Sequence, residues 1–421
     1  MALVEVKTGK NELQVEQLEN YLDIAKEQGF QAVVTISNQI AAAPGMHPTP
    51  VDKRKCRKVE LRHVSWSQIH TEALMARTNQ HVSDPDQAWI LSELIRYLEH
   101  PRSGAVDFDD MGAAWVPVRE AVKAGTLLPG DDRATDVATR WEQLIRFIGM
   151  RMGRVLGMEV QPSLTRREQA EPALRLQSQA ASLSASGTMS GTLNVPNTVA
   201  PINISADLRA GRVLCFVEVG APREGRPLTR INWLLRQLRD APEDVRIDAF
   251  TPWSRGASRS ELLRDLRQDP TLLLDDQKRE IRKFQIAIGS VAGTKRGQGK
   301  GSFVGSVFEL VDKFYGEVVQ NLKPWSASPP RLRHPEPEDI AEIDVPPQLP
   351  STALSSQDEQ ESEGVGIEQF AQQDDPGVDG ERISDRRDDP VELFEGLYRS
   401  TETTKLNEEP DRAVAPAATQ I

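Results

Sequence analysis

Two residues near the start of the chain have types and a spacing that suit phosphodiester chemistry. Glu5 and Lys7 lie two positions apart in the segment Ala2–Lys7, whose alternation predicts a β-strand. Side chains two apart on a strand leave the same face, roughly 6.5–7 Å from each other. A carboxylate can hold a hard cation such as Mg²⁺, and a neighbouring ammonium can orient water or stabilise developing charge. The pair alone is not specific, since chance gives about two such matches in a chain of this composition.

A second pair of polar residues falls on the helix that must position the first pair. The pattern after the strand predicts a helix that ends before Gly29, with Asn11 and Gln14 spaced as a capping box. Gln17 and Tyr21 are four positions apart and therefore share one face of this helix. Both fall on its apolar stripe, where a polar glutamine needs a hydrogen-bonding partner. A site between the helix and the strand would supply that partner.

The strand, the glycine turn, the helix and a following apolar strand at 30–37 form a combination that is more specific than either pair. This combination resembles the catalytic centre of PD-(D/E)XK nucleases, in particular the RecB-like branch, which adds a Gln-x-x-x-Tyr motif. The resemblance covers residues 2 to about 70. It implies metal ligation by Glu5 and by the backbone carbonyl of Val6, catalysis by Lys7, and support from Gln17 and Tyr21. It also implies DNA as the substrate and Mg²⁺ as the cofactor. The alternative is an ordinary βαβ edge with a surface ion pair and a core tyrosine.

The position of the motif departs from the family pattern. The family places a helix and two strands before the Glu-x-Lys strand, and the second of those strands supplies an Asp ligand. Here the motif strand follows directly on Met1, and Asp84-Pro85 comes too late in the chain. We therefore expect an N-terminally incomplete nuclease domain that is inactive or weak. A start site placed too late is the favoured explanation, beside a remnant kept for binding and a site completed by another chain.

Other charged or glycine-rich segments suggest anion binding less specifically. One run before the third strand is a candidate nucleic-acid contact, with a solvated loop as the equal alternative; its cations are Lys53, Arg54, Lys55, Arg57 and Lys58. The loop 293–302 is not a Walker A motif and fits a connector better, with Ser302 as the helix cap. His63 fits a structural residue better than a base. The arginines at 223, 226 and 230 could hold an acidic group, but a charged rim is favoured.

The pattern along the chain predicts a mixed α+β, α/β multidomain protein. We expect a partial PD-(D/E)XK-like βαβ core at 1–80, a helical bundle at 81–164 and a helix or linker at 165–186. A second α+β domain at 187–325 should begin with three antiparallel strands. A disordered acidic tail should occupy 326–421, with residues 391–398 as one segment that could fold on a partner.

Composition and charge argue against several classes of protein and bear on which partners the chain could bind. Two cysteines, Cys56 and Cys215, make neither a disulfide framework nor a zinc site, and no apolar run approaches a membrane span, so a cytoplasmic protein is expected. The net charge of −12 is uneven: residues 335–421 carry 23 acidic and 6 basic side chains, which leaves the rest at +5. A mildly basic body fits nucleic-acid binding, with a tail that competes for it or only keeps the protein soluble.

These observations give two hypotheses from different classes. The first is a Mg²⁺-dependent DNA nuclease-like protein, weak or inactive in the chain as given. The second is a non-catalytic protein that binds nucleic acid or protein through residues 187–325, with the acidic tail as a further site for a protein partner. The oligomeric state stays open in both.

Overall fold

The computed structural model describes residues 1–79, 82–254, 256–275 and 279–327. Nearly all of the predicted acidic tail, with its 391–398 segment, lies outside these residues. The described chain is a mixed α+β structure with a small parallel sheet and a large antiparallel one, so the α+β prediction is confirmed at that level. Among its described helices, none combines the length and the apolarity that a membrane crossing needs.

The small sheet is a βαβ unit extended by one strand. Strands β1 (Ala2–Val6), β2 (Ala32–Ser37) and β3 (Glu60–Ser65) are parallel and lie in that order. Helix α1 (Val15–Glu27) connects β1 to β2 and buries Leu18, Leu22 and Ala25. The first two strands pair in parallel, as the predicted βαβ unit requires. The order leaves β1 at the edge, with Val4 and Val6 about half exposed.

The two ends of α1 test the capping prediction. The capping box is wrong: the helix begins after Gln14, which makes no side-chain cap, and the Asn11 amide donates instead to the carbonyl of Thr8 in the preceding turn. The C-terminal prediction holds. Gly29 has a left-handed φ of 72°, and the amide of Phe30 returns to the carbonyl of Ala25.

Four helices follow the small sheet: α2 (Trp66–Asn79), α3 (Pro85–Glu99), α4 (Trp115–Ala124) and α5 (Asp132–Leu156). Asp84 caps α3, since its side chain accepts from the amides of Asp86 and Gln87, and Pro85 takes the first helical position. The Asp-Pro pair is therefore explained as a helix start. Helix α5 is the longest of the described helices and is buried along much of its length.

The large sheet is antiparallel and has seven strands. Its strands are β4 (Gln161–Pro162), β5 (Thr188–Asn194), β6 (Ile202–Asp207), β7 (Arg212–Gly220), β8 (Arg246–Phe250), β9 (Arg259–Leu262) and β10 (Lys283–Val291). Its helices are α6 (Arg166–Ala170), α7 (Pro172–Ser186), α8 (Pro227–Gln237), α9 (Leu263–Gln268) and α10 (Phe303–Glu317). The order is β4-β5-β6-β7-β10-β8-β9, so β10 enters between β7 and β8. The predicted antiparallel run β5–β7 is confirmed.

One prediction in this region is wrong. The local pattern predicts a single helix at 260–267, but its first residues form β9, because pairing with β8 gives their backbone groups partners that the local pattern does not reveal. The segment 165–186, predicted as a helix or linker, is helical. It forms two helices, and α7 buries Leu183 and Gln179 against α5 and β5.

The helices and the large sheet share one hydrophobic core. Phe303 of α10 packs against Trp115 of α4 and Trp141 of α5, with ring centroids 4.3 and 6.2 Å apart. The same connected set of buried side chains continues through β5–β10. The helical region 81–164 and the α+β region 187–325 are therefore held together by common packing. Leu22, Ala25, Val33 and Val59 form a separate small core under α1.

Candidate functional site

The four motif residues of the N-terminal unit meet in one hydrogen-bonded cluster. Lys7 Nζ lies 2.8 Å from Glu5 Oε1, and the same oxygen accepts from Gln17 Nε2 at 3.2 Å. Gln17 Nε2 lies 2.8 Å from the hydroxyl of Tyr21. We call Glu5, Lys7, Gln17 and Tyr21 the edge cluster. Strand β1 supplies Glu5, the residue after the strand is Lys7, and one face of α1 supplies the two neutral members, as the spacing predicts.

The face of the small sheet that carries the edge cluster changes from apolar to polar side chains along the strands. Its first half is apolar, with Leu3, Val33 and Leu61 packed under α1. The next row consists of Glu5, Thr35 and His63, which are direct partners in the register and share that face. The cluster therefore lies toward the carboxyl ends of parallel strands, where ligands commonly bind in such sheets.

An open groove runs beside the cluster at the same edge. Its volume is about 700 Å³, and it is lined by Val6, Lys7, Thr8, Lys10, Asn11, Glu12 and Gln14. Two of these residues are cationic and one is acidic. The groove is polar and wide enough for a segment of a phosphodiester backbone to reach the Lys7 ammonium.

The donor set of the edge cluster is a poor match for a resident Mg²⁺ ion. Glu5 is its one carboxylate, and Oε1 already accepts from both Lys7 and Gln17. Within the described residues, no group of three or more His, Cys, Asp or Glu side chains is arranged to hold a metal. Mg²⁺ keeps its waters strongly and is usually held by carboxylates together with substrate phosphates. The carbonyl of Val6 would add one further oxygen, which leaves the set short of a metal cage.

The basic run lies at the other end of the sheet from the edge cluster. Lys55 forms ion pairs with two residues of α1: its Nζ lies 2.7 Å from Asp23 and 3.7 Å from Glu19. The hydrogen bond to Asp23 raises the pKa of Lys55. The remaining cations are exposed and form no ion pair with the described chain: Lys53, Arg54, Arg57 and Lys58. These cations precede Glu60, which pairs with Ala32 at the start of β2. Glu60 therefore lies three rows, or about 10 Å, along the strands from the row of Glu5. The run and the cluster are separate surfaces.

His63 is held as a neutral structural side chain, as the sequence favours. Thr35 Oγ1 lies 2.8 Å from its Nδ1 and 2.9 Å from Nε2 of His47. The Nε2 of His63 lies 2.7 Å from the carbonyl oxygen of Gln39. Burial lowers the pKa of His63 to about 4, and the guanidinium of Arg146 acts in the same direction. The imidazole is therefore uncharged at neutral pH.

The other two segments that the sequence singles out are structural in the described chain. Ser302 caps α10 through the amide of Gly305, as predicted, and the preceding loop is fixed by Arg296, which pairs with Asp110. Arg230 is buried and donates to three backbone carbonyls, those of Gly225, Ile281 and Arg223. The loop 293–302 therefore fits the predicted connector. Arg230 is a buried structural residue, so the prediction that it belongs to a charged rim is wrong.

Sequence reasoning missed the residues that reach the carboxyl end of the small sheet from later in the chain. Trp66 donates its indole N–H to the carbonyl of Lys7 at 2.9 Å. Asn38 donates to the carbonyls of Gly9 and Gly104 and so fastens a distant loop over the ends of β1 and β2. Arg146 comes from α5. The sequence around these three residues does not indicate their contacts, because each contact joins segments that are far apart along the chain.

Comparison with protein-family models, with curated proteins and with solved structures gives no match for this chain. The function of this protein is therefore inferred from the geometry of its own residues.

Proposed function

We propose that this protein is a PD-(D/E)XK nuclease-like protein whose edge cluster binds the phosphodiester backbone of DNA. One observation carries the proposal: Gln17 joins Glu5 of the strand to Tyr21 of the helix, so all four motif residues lie in one connected cluster. An ordinary βαβ edge needs no such bridge. The motif residues are also partly shielded, with Lys7 and Glu5 side chains 22% and 16% exposed.

The cluster supports binding better than cleavage. Lys7 can place an ammonium on a phosphate in the groove, while Glu5 and Gln17 fix the direction of its side chain. With one carboxylate in the set, the affinity for Mg²⁺ should be low, so we expect weak cleavage or none from this chain. The proposed DNA binding does not require cleavage in the presence of Mg²⁺, and cleavage is tested separately.

The test measures DNA affinity and cleavage for three proteins. Binding of a labelled duplex is followed by anisotropy over a salt series for the wild type, Lys7→Ala and Lys26→Ala. Lys26 is an exposed residue in the last turn of α1 and serves as the matched control. Lys7→Ala should weaken binding and reduce the slope of log K against log salt by about 1, because one phosphate contact is lost. Equal affinities and slopes for Lys7→Ala and Lys26→Ala would remove the proposal.

The same proteins are incubated with the duplex in Mg²⁺, Mn²⁺ or EDTA. Weak metal-dependent cleavage that Lys7→Ala abolishes and Lys26→Ala keeps would extend the proposal to catalysis. Cleavage that persists unchanged in Lys7→Ala would show that the edge cluster is not the site responsible.

A second candidate function has an observation of its own in residues 187–325. Trp253 is 99% exposed and holds a left-handed φ of 67°, which is rare for a bulky side chain. Together with Arg279 it lines an open cavity of about 450 Å³. An exposed indole beside a guanidinium could stack on an unpaired base, an interaction that contributes about 1–3 kcal/mol. Loss of single-stranded DNA binding in Trp253→Ala, with full binding in Lys7→Ala, would favour this non-catalytic alternative.

A further inference from the structure

Arg146 of α5 is a half-buried cation with very few partners. One of its terminal nitrogens donates to the carbonyl of Ala41, and this is its one hydrogen bond to the described chain. A guanidinium has five N–H donors and is always charged. Burial disfavours that charge and lowers the pKa of Arg146. Most of its donors therefore lack a protein acceptor in a place where water is partly excluded.

The neighbouring arginines of α5 show how unusual this is. Arg151 pairs with the buried carboxylate of Asp312 at 2.6 Å. Arg154 pairs with Asp107 at 3.2 Å and also donates to Thr71. Both are compensated by acidic residues from other elements. Arg146 has no acidic partner within the described chain, although a buried charge without one is costly.

The guanidinium borders a partly open cavity of about 210 Å³. The cavity is lined by Ile40, Ala41, Ala43, Pro44, Gly45, Met46, His63, Ser65, Gln68 and Arg146. We call this cavity the Arg146 pocket. It contains one permanent cation and no acidic side chain. Its size is below the usual 300–1,000 Å³ of pockets for drug-sized ligands, so a small group fits it best.

Two further side chains add donors to the same cavity. The Ser65 hydroxyl accepts from the amide of Gln68, which leaves its own proton free to donate. The Gln68 side-chain amide has no hydrogen-bond partner in the described chain, so its NH₂ is available. His63 is neutral and its Nε2 faces the Gln39 carbonyl, so it adds no competing charge. The polar groups of the pocket are thus mainly donors around one cation.

We infer that the Arg146 pocket binds a small oxyanion of the phosphate class, either free inorganic phosphate or the terminal phosphate of a nucleotide or oligonucleotide. The planar guanidinium can give a pair of parallel N–H bonds to two phosphate oxygens. Ser65 and Gln68 can donate to the others, while the aliphatic wall from the loop 40–46 excludes water. The inference stands apart from the edge cluster, because it uses none of the residues of that cluster.

The first experiment titrates the full-length wild-type protein with inorganic phosphate at pH 7.5 and constant ionic strength. Calorimetry and thermal melting should both show saturable binding. Arg146→Gln should raise the Kd at least tenfold, because the charged donor pair is lost. Arg140→Gln, on the same helix and outside the pocket, should keep the wild-type affinity. The absence of saturable phosphate binding in the wild type would overturn the inference.

A second variant guards against misfolding of Arg146→Gln, since Arg146 also holds the loop through Ala41. Gln68→Ala leaves that bond intact and should weaken phosphate binding roughly tenfold to a hundredfold, the effect of one lost hydrogen bond to a charged group. Phosphate affinity unchanged in both variants would exclude the pocket as the site.

Two ligand series identify the source of the phosphate. Tighter binding of a 5′-phosphorylated oligonucleotide than of its unphosphorylated form, dependent on Arg146, would assign a nucleic-acid end. Equal binding of the two oligonucleotides, with phosphate binding retained, would assign the free ion. Acetate that binds as tightly as phosphate would contradict the phosphate class. Loss of duplex binding in Lys7→Ala leaves phosphate binding untouched, so this inference and the proposed function fail separately.

Discussion

His63 should make the protein less stable as the pH falls below 6.5. Its pKa is lowered from 6.5 to about 4 in the folded chain, mainly because burial disfavours the charged ring. The unfolded chain therefore binds a proton first, and the stabilisation that is present above pH 6.5 is lost as the pH falls toward 4. Between pH 7.5 and 4.5 this single group should reduce the free energy of unfolding by about 2 kcal/mol.

Urea unfolding followed by tryptophan fluorescence measures this loss at several pH values between 7.5 and 4.5. Carboxylates and His47, whose pKa burial also lowers, titrate in the same range, so the informative quantity is the difference from His63→Gln. The glutamine amide can still donate to the Gln39 carbonyl but does not titrate. The pH dependence of the variant should be flatter by about 2 kcal/mol. Equal losses in the two proteins would refute the assignment of a buried neutral imidazole.

Three other changes have expected outcomes. Gly191→Ala should destabilise by about 1–3 kcal/mol in urea unfolding, because its Cβ would lie 2.6 Å from atoms of Ile145, and it should cost nothing further in an Ile145→Ala background. Glu142→Ala should cost about 3 kcal/mol, because it leaves the guanidinium of Arg175, now 2.8 Å from the carboxylate, without its buried partner; Glu142→Gln should cost less. Removal of residues 335–421 should tighten DNA binding at low salt more than at high salt, since it removes 17 net negative charges. Unchanged affinity at low salt would show that the tail does not compete.

The sequence predicts the N-terminal unit well because its interactions are local. Glu5 and Tyr21 lie sixteen positions apart, and alternation followed by a helical stripe is enough to bring them to one face. The capping box fails at Asn11 because a nearer carbonyl, that of Thr8, competes for its amide. Local signals of this kind indicate the presence of an element better than its first residue.

The rest of the site depends on contacts that no local pattern contains. The strand β9 exists because β8 pairs with it, and Arg146 enters the end of the small sheet from a helix about eighty residues beyond β3. On the sequence, Arg146 looks like any arginine of an amphipathic helix that also carries Arg151 and Arg154. Only the folded chain shows that those two meet carboxylates and that Arg146 meets none among the described residues.

The two candidate anion sites differ in local charge, and this difference determines which ligand each can bind. In the edge cluster the charges of Glu5 and Lys7 cancel, so attraction for a phosphate comes from Lys7 at short range and from Lys10 in the groove. Such a site suits a polyanion that makes several contacts and should lose affinity steeply with salt. The Arg146 pocket has one charge that no described carboxylate compensates, and it lies behind an apolar wall, where screening by salt is weaker. Phosphate binding there should therefore persist at a salt concentration that releases DNA from the edge cluster, and a common salt dependence of the two would contradict their separation.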